Sequence, residues 1–278
     1  MTRSNYKILL MCTFILFTAA LQAQSYKLRY NFEKGKNYNY ELNLDAEITQ
    51  TAMGQEMKMS NAGSIFSKIT GETSDPKGNM SVLVSIDSGL IKSHNPMKDT
   101  TVSLSEFANK RTRLVVSPEG KIASSEIVDS VKKGLEGMGF TTRSLLMLAK
   151  LPVQDVKQGD TWKINDIDSV DMMGGKIVNT MDYSYTLAGT EQKLGHNCLK
   201  LAFTNDTKSN GKAKIMGMEF FIEGTGKTTG TVYFDPKAGL AVSTEMDTNS
   251  EMTMATTGQQ NMIIPITQVT KMSQNLVK

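Results

Sequence analysis

The sequence is poor in cysteine, the residue that could staple it covalently. There are two cysteines in 278 residues, and Cys12 lies inside an apolar leader. If that leader is removed, Cys198 is the only thiol left, and an intramolecular disulfide is excluded. A lone cysteine is most often a small buried hydrophobe. An intermolecular bridge or a reactive thiol is the alternative.

Catalytic signatures are also missing. The only histidines are His94 and His196, and their spacing pairs neither with a serine or cysteine nucleophile. The glycine-rich run at residues 224–228 resembles a phosphate loop. However, Phe221 stands where that motif needs glycine, and a β-hairpin follows where it needs a helix. We therefore expect a protein that is not an enzyme and has no cofactor.

Aspartates cluster at Asp166, Asp168 and Asp171, but the glycine and the bidentate glutamate of a helix–loop–helix calcium site are absent. We interpret this stretch as a solvated loop and assign no metal ligands. Basic residues are scattered, with 31 Lys and Arg against 28 Asp and Glu. A nucleic-acid-binding surface would need a basic stripe or patch, so nucleic acid is not an expected partner.

Long apolar runs are confined to the start of the chain. Arg3 and Lys7 precede an apolar run from Ile8 to Leu21, and Ala23 provides a small residue before Gln24. This pattern predicts a signal peptide over residues 1–23 and export to the periplasm or the cell surface. No later stretch is apolar enough to span a bilayer as a helix.

What the chain does contain is strand alternation. The clearest example is a hairpin in which Thr231–Phe234 and Leu240–Met246 flank a turn at Asp235–Gly239. Pro236 favours the start of the turn and Gly239 its return. Further alternating runs recur at the spacing of an antiparallel meander.

An earlier hairpin, with its turn at Ser117–Gly120, has the same pattern as the later one. Gly35 and Gly71 match Gly159 and Gly189 in the same order and at nearly the same separation. Such repetition predicts two related halves. We expect a mainly β protein of antiparallel curved sheets, half-barrel or sandwich-like, with two sheets sharing a core.

We place the first β half at residues 24–124 and the second at 153–278, joined by a helical linker at 125–152 in one composite domain. Within the linker, apolar residues at helical spacing follow a Ser124–Ser125 cap. We expect the helices to lie on a sheet. At the end of the chain, Pro265 predicts an edge strand over Met262–Met272.

Methionine is the compositional anomaly, with 19 residues, two of them in the leader. Several are paired two apart, and residues two apart on a strand share a face. The thioethers either replace leucine in the core, line an adaptable apolar surface, or bind Cu(I). The predicted ligand-binding residues are Met57, Met59, Met216, Met218, Met252, Met254, Leu145 and Leu148.

Several short motifs carry a resemblance: Gly-Lys-x-Tyr-x-Tyr at residues 35–40, Met-Gly-Gln-Glu-Met at 53–57, Gly-Asp-Thr-Trp at 159–162, and the hairpin at 230–240. Together they resemble a family of uncharacterised secreted proteins from Bacteroidota. That resemblance implies no activity. More distantly, the expected architecture is similar to the periplasmic lipoprotein-carrier half-barrels, whose concave face holds acyl chains.

The sequence therefore predicts a non-enzymatic binding protein of the cell envelope. Its expected partner is an apolar ligand, either a lipid or a hydrophobic segment of a lipoprotein. Two alternatives are a structural or protein-interaction module without a ligand, and a methionine-rich Cu(I)-binding protein.

Overall fold

A computed structural model describes residues 24–52, 54–108, 110–129, 145–172, 175–215, 218–256 and 262–277. The predicted signal peptide lies outside them. The described chain is mainly β and antiparallel, as predicted. The strands are β1 Asn37–Ala52, β2 Gln55–Ser74, β3 Met80–His94, β4 Thr100–Ser103, β5 Arg111–Val116, β6 Ile122–Ile127, β7 Thr161–Met172, β8 Gly175–Lys193, β9 His196–Ile215, β10 Met218–Asp235, β11 Leu240–Thr256 and β12 Ile263–Val277.

All twelve strands belong to one sheet. Its order is β6-β5-β3-β2-β1-β12-β11-β10-β9-β8-β7, with β4 paired to β3. The sheet does not close into a barrel. We expected two sheets sharing a core, but β1 pairs with β12 from Asn39↔Val277 to Gln50↔Ile266 and joins the halves into one continuous surface.

The strands are much longer than usual. The two longest, β2 and β9, have 20 residues each, about 66 Å at the normal rise per residue, whereas a typical strand has about six. Strand β1 likewise runs without interruption over 16 residues. The sheet therefore has two distant ends, and each side-chain face is a long surface.

One face of the sheet is concave. A single buried cluster contains Leu114 and Ile122 from one end of the strand order and Trp162 and Tyr185 from the other. Since strands so far apart in the order share one core, the sheet must curl towards that side. We call this side the concave face and the opposite side the outer face.

The N-terminal segment, residues 24–35, lies against the core and ties the two hairpins together. The backbone N–H of Tyr30 donates to Pro118 O at 2.8 Å, and that of Asn31 donates to Gly239 O at 2.9 Å. The ring of Tyr30 also meets Phe234 edge-on, with centroids 5.3 Å apart. One short segment thus joins the two turns whose similarity suggested a repeat.

The halves share local irregularities as well. The pairing register shifts between Gly71 and Thr73 in β2, and between Leu187 and Gly189 in β8. A bulge bends a strand and increases its twist, so β2 and β8 are each bent at this place.

The predicted helical linker is not seen in the described residues. Ser125 and Ile127 belong to β6, where they pair with Leu114 and Thr112. Residues 145–150 form a turn followed by irregular chain, and 130–144 lie outside the described residues. Strand pairing overrides the helical spacing at Ile127 because β5 offers its backbone groups as partners. The one described helix is a 3₁₀ turn at Leu104–Phe107.

The prediction that Pro265 marks an edge strand was wrong. Strand β12 lies between β1 and β11. Pro265 pairs with Thr253 of β11, whereas the pairing with β1 ends one residue later, at Ile266. Its missing N–H is tolerated because no β1 residue pairs with it.

Candidate ligand-binding site

Residues 145–151, which we call the strap, cross the concave face. At one end the side-chain amide of Gln274, on β12, forms hydrogen bonds with two backbone groups of the strap. Its Nε2 donates to Leu145 O at 2.6 Å, and its Oε1 accepts from Met147 N at 3.3 Å. At the other end Leu151 N donates to Glu119 O at 2.9 Å, in the β5–β6 turn.

Lys150 is the most connected residue of the strap. Its backbone N–H donates to the Tyr185 hydroxyl at 3.2 Å, and its carbonyl accepts from Trp162 Nε1 at 2.9 Å. Its ammonium lies 3.2 Å from Asp166 Oδ2 and 3.4 Å from Gly120 O. These contacts fix the strap to β7, β8 and the β5–β6 turn, so its distance from the sheet is set by several bonds together.

A cavity of about 350 Å³ lies between the strap and the concave face. Its size falls within the range of small-molecule pockets. The wall is formed mainly by apolar and aromatic side chains, with a few polar groups. The lining residues are Ile122, Leu146, Met147, Leu148, Ala149, Lys150, Asp166, Asp168, Val170, Asn179, Met181, Tyr183, Tyr185, Phe203, Val232, Thr244 and Met246.

The rings of Tyr183, Tyr185 and Phe203 form one wall of this cavity, and Trp162 adjoins that wall without lining the cavity. Trp162, Tyr185 and Phe203 lie directly opposite one another on β7, β8 and β9. Tyr185 stacks on Trp162 with centroids 5.4 Å apart, and its ring lies 5.5 Å from that of Phe203. Tyr183 continues the wall along β8, 5.8 Å from Tyr185. Such stacked rings form a rigid apolar surface.

Two of the three clustered aspartates, Asp166 and Asp168, line this cavity. We predicted that Asp166, Asp168 and Asp171 lie in a solvated loop, but they lie in strand β7. Asp166 and Asp168 are two residues apart and so share the concave face. The signal was present in the sequence, since Trp162, Ile164, Asp166, Asp168 and Val170 alternate as one face of a strand. We missed it because aspartate is uncommon in strands.

Burial and these carboxylates affect the neighbouring tyrosines. Burial, and then the charges of Asp166 and Asp168, raise the pKa of Tyr183 to about 12. Burial is also the main cause that raises the pKa of Tyr185 above its ordinary value. Both phenols are therefore neutral hydrogen-bonding groups at physiological pH.

The structure places the two predicted site residues of the linker, Leu145 and Leu148, in different environments. Leu148 is half-buried and lines the cavity. Leu145 is 1% exposed and packs in a separate cluster on the first half of the sheet, with Leu42, Ile65 and Leu104 among its members. Only Leu148 therefore lies where a ligand in the cavity would touch it.

The methionine pairs share the concave face but lie further along it. Met57 and Met59 are opposite Gln50 and Ile48, and Met252 and Met254 are opposite Ile266 and Ile264. These four side chains are half-buried, and Met218 is 41% exposed. Met216 lies outside the described residues. The cavity is lined instead by three unpaired methionines: Met147, Met181 and Met246.

The remaining candidate residues, Cys198 and His196, interact with neighbouring side chains of the fold. Cys198 is a buried free thiol that packs with Tyr233 and Val242, and burial raises its pKa to about 11. This confirms the prediction of a buried hydrophobe. His196 Nδ1 lies 2.8 Å from Asp235 Oδ2. Among the described residues, no three His, Cys, Asp or Glu side chains are grouped as a metal site. Nor does any described helix have the length and hydropathy to cross a membrane.

Comparisons with known proteins give a family match and distant structures. Residues 125–241, less than half of the chain, match a family model described as "Family of unknown function (DUF6263)". No curated protein matches. Among solved structures, one titled "Lipid-protein interactions in lipovitellin" is 12% identical, with a TM-score of 0.49 over 89% of this chain and 26% of the other. The chain thus spans about a quarter of that structure's length.

Two structures from Pseudomonas aeruginosa also match. They are OpdQ, at 6% identity and a TM-score of 0.28, and OccK5 (OpdH), at 7% and 0.26. Each match covers nearly nine-tenths of this chain, 87% and 88%, and nearly the whole of the other, 100% and 99%. At such identities and scores these structural likenesses carry no functional argument. By its sequence, the chain is similar in part, over residues 125–241, to a family of unknown function.

Proposed function

We propose that this protein binds an apolar ligand in the cavity under the strap, without catalysing a reaction. The observation that carries the proposal is the cavity itself. Apolar and aromatic side chains of the strap face those of β7 to β11 across about 350 Å³, and polar groups are restricted to a few positions. Small-molecule sites typically have this composition.

The attachment of the strap supports a ligand site over a packing defect. A void in an apolar core costs stability, and neighbouring side chains normally relax to fill it. Here the strap is held by side-chain hydrogen bonds from Gln274 and Trp162, and by the Lys150–Asp166 ion pair. These bonds oppose collapse of the strap onto the sheet and keep the cavity available.

We further propose that the ligand is a lipid, or an acyl-bearing or hydrophobic segment of an envelope lipoprotein, met after export. The export step rests on the leader at residues 1–23. The adaptable thioethers of Met147, Met181 and Met246 in the lining suit a flexible hydrocarbon partner.

The test is saturable binding of a dansyl-labelled fatty acid to the purified protein. Met181→Trp places a larger side chain in the cavity and is expected to weaken binding about 10-fold or more, since it removes apolar contact area. Thr180→Trp puts the same group on the outer face of the same strand and is the matched control. Equal affinities for the two variants, or no saturable binding to the wild type, would reject the proposal.

A further inference from the structure

Next to the cavity, the concave face changes from apolar to polar side chains. One row past Tyr185 and Phe203, five residues lie directly opposite one another across β8 to β12. They are Tyr183, Asn205, Thr228, Thr248 and Thr270. All have hydroxyl or amide groups, and none is charged at neutral pH.

This row is deeply buried for polar residues. Asn205, Thr228 and Thr270 are 7%, 9% and 9% exposed. The Thr228 and Thr248 hydroxyls are 2.9 Å apart, and Asn205 Nδ2 donates to Thr207 Oγ1 at 3.0 Å. The amide oxygen of Asn205 is buried and has no hydrogen-bond partner. Buried polar atoms are normally paired, so an unpaired one in the row next to a cavity points to a ligand.

Asn205 is not a lining residue of the proposed ligand cavity, but it lies directly next to two residues that are. Phe203, two residues before it on β9, and Tyr183, opposite it on β8, both line the cavity. A ligand that occupies the apolar space and extends past these two rings along the concave face meets the Asn205 amide next.

We infer that Asn205 recognises a hydroxyl group of the ligand, an inference that rests on the proposed function. A hydroxyl both donates and accepts, so it completes the bonding of Asn205 in either orientation of the side-chain amide. The other members of the row are neutral hydroxyls, and the carboxylates of Asp166 and Asp168 lie in the adjoining cavity, so an uncharged head is favoured over an anionic one. The ligand class is a long-chain lipid with a free hydroxyl, such as an acylglycerol.

The experiment compares 1-monooleoylglycerol with methyl oleate, which has the same acyl chain and ester but lacks the hydroxyls. Each competes with the dansyl-labelled fatty acid for the purified protein. The wild type is expected to bind the hydroxylated lipid about 10-fold more tightly, the value of one hydrogen bond. Asn205→Leu should remove this preference and leave methyl oleate binding unchanged. Thr204→Val, on the outer face, should keep the preference.

The outcomes separate the two proposals. Equal binding of both lipids by the wild type, or an undiminished preference in Asn205→Leu, would overturn the role of Asn205 and leave the apolar site standing. Absence of binding by either lipid would reject the site itself, and the inference with it. If Asn205→Leu does not fold, Thr228→Val tests the same row and is expected to reduce the preference about 3-fold.

Discussion

The two halves of the sheet cover their concave faces in different ways. In the first half, β4 and the helix Leu104–Phe107 are inserted between β3 and β5, and Leu104 and Phe107 are almost fully buried. They pack against side chains of β1, β2 and β3: Leu42, Ile65, Ile86 and Ile91. Gly89 makes room for them, because a Cβ there would lie 2.8 Å from Leu104 Cδ1.

The second half has no such insertion among its described residues. Strand β9 ends at Ile215 and β10 starts at Met218, and the two strands pair from that point. The strap is the element that covers β7 to β11, and it leaves the cavity beneath it. The comparison teaches that one short insertion can decide whether part of the concave face becomes packed core or a pocket.

The largest expected effect comes from removing side chains that cover the two halves. Leu104→Ala should lower the free energy of unfolding by about 2–5 kcal/mol, because it leaves a void in a packed cluster. Leu148→Ala, at the edge of the cavity, should cost less than about 2 kcal/mol and should weaken binding of the dansyl-labelled fatty acid. Urea unfolding and probe titration of both variants check this. Equal losses of stability would break the distinction between a packed and an open half.

The second effect is the pH dependence of stability that comes from Tyr183, which lines the cavity. The pKa of Tyr183 is raised from 10.0 to about 12. Between these pH values the unfolded chain has lost the proton and the native state keeps it, so the stability present below pH 10 declines as the pH rises to about 12. The decline attributable to this group is about 2–3 kcal/mol. Over this pH range the free energy of unfolding of Tyr183→Phe should therefore decrease by that much less than the free energy of unfolding of the wild type.

Tyr40, in the packed core, is the comparison for Tyr183. Burial is the main cause that raises its pKa, and its hydroxyl donates to Ala241 O at 2.9 Å. Phenolate absorbance should therefore show Tyr183 ionising at lower pH than Tyr40, and Tyr183→Phe should remove the earlier step. The assignment fails if the absorbance curves of Tyr183→Phe and the wild type differ only at the high-pH end.

The smallest effect is expected from the methionine pairs. Met57 and Met252 are separated by two intervening strands, which puts their backbones about 14 Å apart. The pairs of the two halves therefore cannot share one copper ion without a large change in curvature. Replacing either pair by leucine should change stability by less than about 1.5 kcal/mol, because the volumes are similar.

Titration with Cu(I) against a competing chelator checks the same pairs. The wild type and both double leucine variants, at Met57 with Met59 and at Met252 with Met254, are expected to compete equally poorly. Tight uptake that the leucine changes abolish would instead support the copper alternative.

Much of the fold could be predicted from local patterns. Alternation identified the hairpin around Asp235–Gly239, and Pro118 and Gly120 identified its counterpart. Both follow from backbone preferences that act within a few residues. Local reasoning failed at Ile127 and at Asp166. In both places strand pairing outweighed the intrinsic preference of the segment, and a partner strand cannot be read from the segment itself.

The sequence by itself determined that the chain is a long antiparallel meander, and which side chains share a face, because strand periodicity and turn chemistry are local properties. Only the tertiary structure decided that β1 pairs with β12 to make one sheet, that residues 145–151 become a strap, and that Asn205 lies next to residues that line a cavity. These features join residues that are far apart in the chain, and their free energy comes from burial and hydrogen bonds that exist only once the sheet has curled.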